Sequence, residues 1–181
     1  MAVVPTVLTA AVGAKNRAAD YLTYIRDAVS FFLSPPRCQV YQNSLQTLAT
    51  SGTTAVVTFD SELYDTDRRH STSTNTSRMV ATTAGLYQLL LNIGFATNGT
   101  GYRTINVRKN AAGAAGGGTN VATVRLPAAP TLPSLLPLCV EVQMAAADYL
   151  EVFATQSSGG ALDLVIGVAN TNASMRWVAS S

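Results

Sequence analysis

The chain has 181 residues, 48% of them hydrophobic and only 12% charged, with a formal net charge of +2 at pH 7. That length makes one domain of ordinary size with a short appendage. The basic residues are scattered apart from Arg68-Arg69 and Arg108-Lys109, which argues against nucleic acid as a partner, and no apolar run is long enough for a membrane span.

The N-terminal stretch "MAVVPTVLTAAVGAKNRAADYL" has no basic residues ahead of its apolar part and is interrupted by Pro5, unlike a secretory signal. Residues Ala14 to Leu33, "AKNRAADYLTYIRDAVSFFL", predict the one long helix. Ala18, Leu22, Ile25, Val29 and Phe32 form one seam at spacings of 4, 3, 4 and 3, and Tyr21, Tyr24, Ala28 and Phe31 form a second row beside it. So wide an apolar face has to be buried, either on the chain's own β-domain or on a partner or symmetry mate. Leu and Ile at these heptad positions lean toward three or four strands, although two heptads are too short to assemble alone. Pro35-Pro36 ends the helix.

After Arg37 the pattern changes to short runs rich in Val, Ile, Thr, Tyr and Phe: "CQVYQ", "TTAVVTF", "RMVATT", "GLYQLLLNIGFAT", "YRTINVRKN", "NVATVRL", "LCVEVQM", "DYLEVFATQ" and "LDLVIGVAN". Punctuated by Gly, Asn, Ser and Pro, they predict an all-β sandwich or barrel. "GLYQLLLNIGFA" is apolar on both sides and reads as a central strand covered on both faces. "NAAGAAGGGTN" reads as a flexible loop, and "PAAPTLPSLLP" as a connection too interrupted for a ladder strand. Head-core positions are assigned to Phe59, Tyr87, Phe95, Tyr149 and Phe153. Cys38 and Cys139 read as two buried thiols. The sequons at Asn75, Asn98 and Asn172 read as turns.

Four carboxylates, Asp60, Glu62, Asp65 and Asp67, crowd the stretch before the single histidine, His70. Along a strand Asp60 and Glu62 share one face, with Phe59 and Leu63 on the other. Asp65 and Asp67 then start a turn in which Asp bonds its own backbone, with Arg68 and Arg69 as counter-charges. The alternative is a cation site, calcium above all, for which Asp65 and Asp67 are the candidates, although the spacing is not that of a calcium loop. No nucleophile motif accompanies His70, so no catalytic residue and no cofactor is assigned. Tyr64, Tyr102 and Trp177 are candidates for an aromatic ligand surface that would take a sugar; the alternative is that Tyr102 is a strand residue and Trp177 anchors the last strand, "SMRWVA".

The order of strands from about Arg37 onward resembles the globular domain of complement component 1q, a jelly roll shared with the tumour necrosis factor superfamily. The likeness is strongest to versions in virion proteins of tailed phages of actinobacteria. The residues that carry it are "VVTFDSELYDTDRRHS", "SRMVATTAGLYQLLLNIGFA", "GYRTINVRKN" and "AAADYLEVFATQSSG", with Ala147 where the family usually has glycine before Asp148-Tyr149. The leader resembles the helical segment that precedes such phage domains. The resemblance implies an N-terminal arm and helix over 1–36, for docking and oligomerisation, and an antiparallel jelly-roll sandwich of ten strands over 37–181. It also implies a homotrimer on the surface of a phage particle, on tail or capsid, made in the host cytoplasm. Its partners would be itself, other virion proteins and a host cell-surface glycan; the alternatives are a glycan- or receptor-binding lectin-like trimer and a capsid decoration protein.

Overall fold

The computed structural model describes Pro5 and residues 18–180; the expected N-terminal arm and the first turn of the predicted helix, Ala14 to Arg17, lie outside the described residues. The helix runs as α1 (Ala18–Asp20), a π-helical stretch (Tyr21–Arg26) and α2 (Asp27–Leu33). The Ser34 amide closes it by donating to the Ser30 carbonyl at 3.0 Å, and Pro35-Pro36 then prevents continuation.

Twelve strands follow among the described residues: β1 (Arg37–Tyr41), β2 (Thr47–Leu48), β3 (Thr54–Val56), β4 (Ser61–Asp65), β5 (Met79–Val80), β6 (Gly85–Phe95), β7 (Tyr102–Lys109), β8 (Thr119–Pro127), β9 (Ser134–Met144), β10 (Tyr149–Gln156), β11 (Leu162–Asp163) and β12 (Asn172–Ala179). One sheet has the order β4-β1-β12-β6-β9 and the other β3-β10-β7-β8, with β5 also on β10 and β11 paired to β2. All pairings are antiparallel, so the chain is an all-β jelly-roll sandwich with a short N-terminal helix. The excess over the ten expected strands comes from two-residue pieces.

Alternation places the core between the sheets. Tyr87, Leu89, Ile93 and Phe95 of β6 face Ile105 and Val107 of β7 and Leu150 and Val152 of β10 in one buried cluster. Phe59, Tyr87, Phe95 and Phe153 are fully buried as expected. Tyr149 is not: it stands half-buried at the start of β10, under the Arg78 guanidinium at 4.4 Å, and its hydroxyl accepts the Ala112 amide at 3.1 Å.

Four further expectations are corrected. Leu63 does not share the buried face of Phe59; it is 55% exposed, because the β1–β4 register skips it between Tyr64 and Glu62 in a bulge. Pro137 lies inside β9, opposite Asn92, which is tolerated because β9 is an edge strand. Only Leu162 and Asp163 of "LDLVIGVAN" pair as strand. The Gly/Ala loop is folded back rather than loose: Arg108 Nε donates to the Gly117 carbonyl at 2.6 Å and the Gly113 amide to Glu151 Oε2 at 3.0 Å.

The connecting loops at the two ends of the sandwich differ in charge, although Asp60, Arg103, Arg125 and Asp163 reach the far end from the elements beside them. The connections far from the helix, 42–46, 96–101, 128–133, 157–161 and 164–171, contain no Asp, Glu, Lys or Arg. They are stitched together by backbone bonds such as Gly167 N to Gln42 O at 2.7 Å and Val165 N to Gly94 O at 2.8 Å. The helix end carries Asp65 to His70, Arg78, Lys109 and Asp148.

Candidate docking faces and the acidic loop

Each of the four clustered carboxylates has a local partner. Asp60 accepts the amides of Asn43 at 2.6 Å and Ser44 at 2.8 Å, fixing the turn after β1. Burial works to raise its pKa, but the hydrogen bonds from Ser44 and Asn43 outweigh it and hold the carboxyl below the usual range. Glu62 sits 2.8 Å from His70 Nδ1. Asp65 accepts the amides of Asp67, Arg69 and His70, at 3.1, 2.6 and 2.9 Å, which makes it the organiser of the turn. Asp67 accepts the Thr82 hydroxyl. Among the described residues no group of three or more His, Cys, Asp or Glu is arranged to hold a metal ion.

His70 is equally committed. Its Nε2 lies 3.0 Å from the Thr76 carbonyl, which only accepts, so Nε2 carries a hydrogen. Its Nδ1 faces the Glu62 carboxylate at 2.8 Å. Both ring nitrogens are thereby occupied in tying the Asp65–Arg78 connection to β4.

Arg68 and Arg69, adjacent in sequence, have opposite fates. Arg68 is exposed, whereas Arg69 is fully buried at the helix end of the sandwich. Arg69 donates through Nε to the Val80 carbonyl at 3.0 Å and through Nη1 to those of Pro36 at 3.2 Å and Met175 at 3.0 Å, and its guanidinium lies 4.6 Å from the Tyr87 ring.

The helix is held through Phe31 of its second row. Phe31 meets Trp177 edge-on, centroids 4.8 Å apart, and the Trp177 amide donates to the Pro36 carbonyl at 2.9 Å. Trp177 Nε1 donates to the Ala84 carbonyl at 3.2 Å, so the indole bridges β12, the turn before β6 and the helix. Ala28, Phe31, Phe32, Pro35, Trp177, Val178 and Pro5 line an apolar groove of about 320 Å³. The predicted seam faces away: Ala18 is exposed, Leu22, Ile25 and Val29 are about half exposed, and Phe32 is 83% exposed.

A second open face lies on the five-stranded sheet. Its outward rows are Gln39–Ser174–Leu90–Cys139 and Arg37–Arg176–Gln88–Glu141. Among the described residues strand β6 is therefore covered on one face only, not on both as expected, and Leu90 remains 43% exposed at its centre. Cys139 is exposed on this face, contrary to the reading of two buried thiols, because alternation along β9 turns it away from Leu136 and Leu138. Cys38 is buried, and desolvation pushes its thiol up to about 11 despite the nearby Arg69.

The three aromatic ligand candidates do not converge. Tyr102 begins β7 at the uncharged end, beneath Arg125 at 4.5 Å. Tyr64 lies on β4, with Arg37 5.4 Å from its ring, and Trp177 is packed at the helix end. Two features with no signal in the sequence are the buried Arg69 and Glu151, the latter held by Ser77 Oγ at 2.8 Å and by Gly113.

No protein-family model matches the chain, and a comparison with curated proteins finds no match. Solved structures do. The globular domain of zebrafish complement 1qA aligns with a TM-score of 0.57 at 10% identity, over 81% of this chain and 99% of that one. Murine APRIL at pH 5.0 gives 0.61 at 9% identity, over 79% and 98%. Eiger TNF from S. frugiperda gives 0.59 at 12% identity, over 81% and 94%. The fold of this chain is the jelly roll of complement 1q and tumour necrosis factor-like domains.

Proposed function

We propose that this chain is a non-enzymatic structural protein of a tailed-phage virion, a homotrimeric jelly-roll head held to the particle by its N-terminal helix. The observation that carries the assembly is that, among the described residues, two surfaces of one chain stand open: the sheet face around Leu90, largely polar with Leu90 exposed at its centre, and the apolar seam of Leu22, Ile25, Val29 and Phe32. Three heads closing over the sheet face bury the first and leave the seam for a platform on the particle. Charge placement suits such a ring, because a head-to-tail contact joins two different edges of the sheet. Glu141 lies on the β9 edge, and Arg37 and Arg176 lie toward the opposite side of the same row. Placement on a phage particle rests on the resemblance of the leader and head segments, and the uncharged connections then face outward. A host-surface glycan contact is carried forward only for Tyr102, the one aromatic candidate at that end.

The test is the solution mass of the full chain beside a version beginning at Arg37. Trimers in both are expected, with the sheet face driving assembly and the helix free to dock. A trimer only in the full chain assigns assembly to the seam, and monomers in both sink the reading.

Thiol labelling checks the same face independently. In the native trimer neither cysteine is expected to react at a free-thiol rate. Cys139 is then exposed on dissociation and Cys38 only on unfolding, its thiol being both buried and raised to about 11. Rapid labelling of Cys139 in an intact trimer places the interface elsewhere.

A further inference from the structure

A cavity of about 390 Å³ opens between the Asp65–Arg78 connection and the start of β10. Its size lies in the range of small-molecule sites. Arg68, Arg69 and Arg78 line it together with Ser71, Thr74 and Asn75, and no carboxylate does. The neighbouring acids are already engaged: Asp65 caps three amides, Glu62 meets His70, and the buried Glu151 takes Ser77, the Gly113 amide and Arg78 Nε.

The wall therefore has more donors than acceptors. Arg68 makes no ion pair or hydrogen bond among the described residues. Arg78 uses only Nε, 3.3 Å from Glu151 Oε1, while its plane is steadied over the Tyr149 ring at 4.4 Å. Arg69 is fully buried, and its Nη2 has no hydrogen-bond partner. A ligand that satisfies such a wall must bring acceptors and negative charge. Guanidinium groups match oxyanions with paired N–H donors, and the hydroxyls of Ser71 and Thr74 suit a polyol.

We infer that this cavity binds an oxyanion, a phosphate or carboxylate group on a ligand of about monosaccharide size, with Arg68 and Arg78 as its principal contacts. The site is independent of the assembly proposed above, since it is formed within one chain.

The test is calorimetric titration of the full chain with inorganic phosphate, with glucuronate and with glucose, at ionic strength held constant by chloride. Saturable binding of at least one anion and none of glucose is expected. Arg68→Gln, an exposed position where folding is not at stake, is expected to weaken it about tenfold, as is Arg78→Lys, which keeps the charge and loses the fork. Phosphate alone assigns the site to free phosphate or phosphoryl groups, and glucuronate alone to acidic sugars. Absence of saturable anion binding, or affinity unchanged in both variants, overturns the inference.

Discussion

Replacing Arg69 by methionine is expected to destabilise the protein by about 3–5 kcal/mol, since three charge-assisted hydrogen bonds of roughly 1.5–3 kcal/mol each are lost and do not add in full. The residue is fully buried, and its guanidinium gathers the carbonyls of Pro36, Val80 and Met175, from the lead into β1, from β5 and from β12. Those positions belong to both sheets and to the exit of the helix, so the substitution loosens the junction between head and helix as well as the core. Lysine does not rescue, because one ammonium lacks the planar fork that reaches three acceptors around the Tyr87 ring. Urea unfolding with an unchanged m-value measures the loss, and a methionine variant within about 1 kcal/mol of the native protein refutes the role assigned to Arg69.

A second large effect is expected at Gly85. A Cβ there would stand 2.3 Å from Trp177 Nε1 and 2.4 Å from the Ala179 carbonyl oxygen, and the backbone φ of +151° is one that L side chains rarely adopt. The carbonyl is part of β12 and has little room to retreat, so the indole must move. Gly85→Ala is expected to cost about 3 kcal/mol, combining overpacking with backbone strain. It should also free the helix, because Trp177 is the ring on which Phe31 packs. Trp177 is the only tryptophan, so its emission reports the change directly, with a red shift and faster proteolysis near Pro35-Pro36 as the expected signature. Gly159→Ala is the control: it also has positive φ, +92°, but open space around it, and should cost only about 1 kcal/mol with unshifted emission. Native stability and emission in Gly85→Ala would contradict the close approach.

Much of this architecture was legible because it is periodic. The helix and its two apolar rows followed from spacing alone, but which row packs did not: Phe31 meets Trp177 and Phe32 is open, and residues Tyr21–Arg26 are wound as a π-helix that spacing did not show. Pro35-Pro36 and the strand-forming runs were equally readable, since local backbone preferences decide them. What escaped depends on partners distant in sequence. Arg69 looked like a counter-charge to its acidic neighbours, but its acceptors come from residues 36, 80 and 175. The bulge that exposes Leu63 is a property of the β1–β4 register, not of either strand by itself. Tyr149, assigned to the core, lies at a strand end where Arg78 covers its ring. Pro137 was read as a breaker, and only the sheet order reveals that β9 is an edge.

The uncharged connections opposite the helix differ from the helix end in how contacts made there respond to salt. Dissolved ions weaken an attraction only by screening the charges that create it. Across 42–46, 96–101, 128–133, 157–161 and 164–171 no side chain has a formal charge to be screened. Contacts made there rest mainly on shape, hydrogen bonds and apolar area, with Asp60, Arg103, Arg125 and Asp163 as the charged groups beside them. The helix end, with its arginines and carboxylates, has contacts whose strength follows ionic strength. Salt is thus expected to act more strongly on contacts at the helix end than on contacts at the far connections.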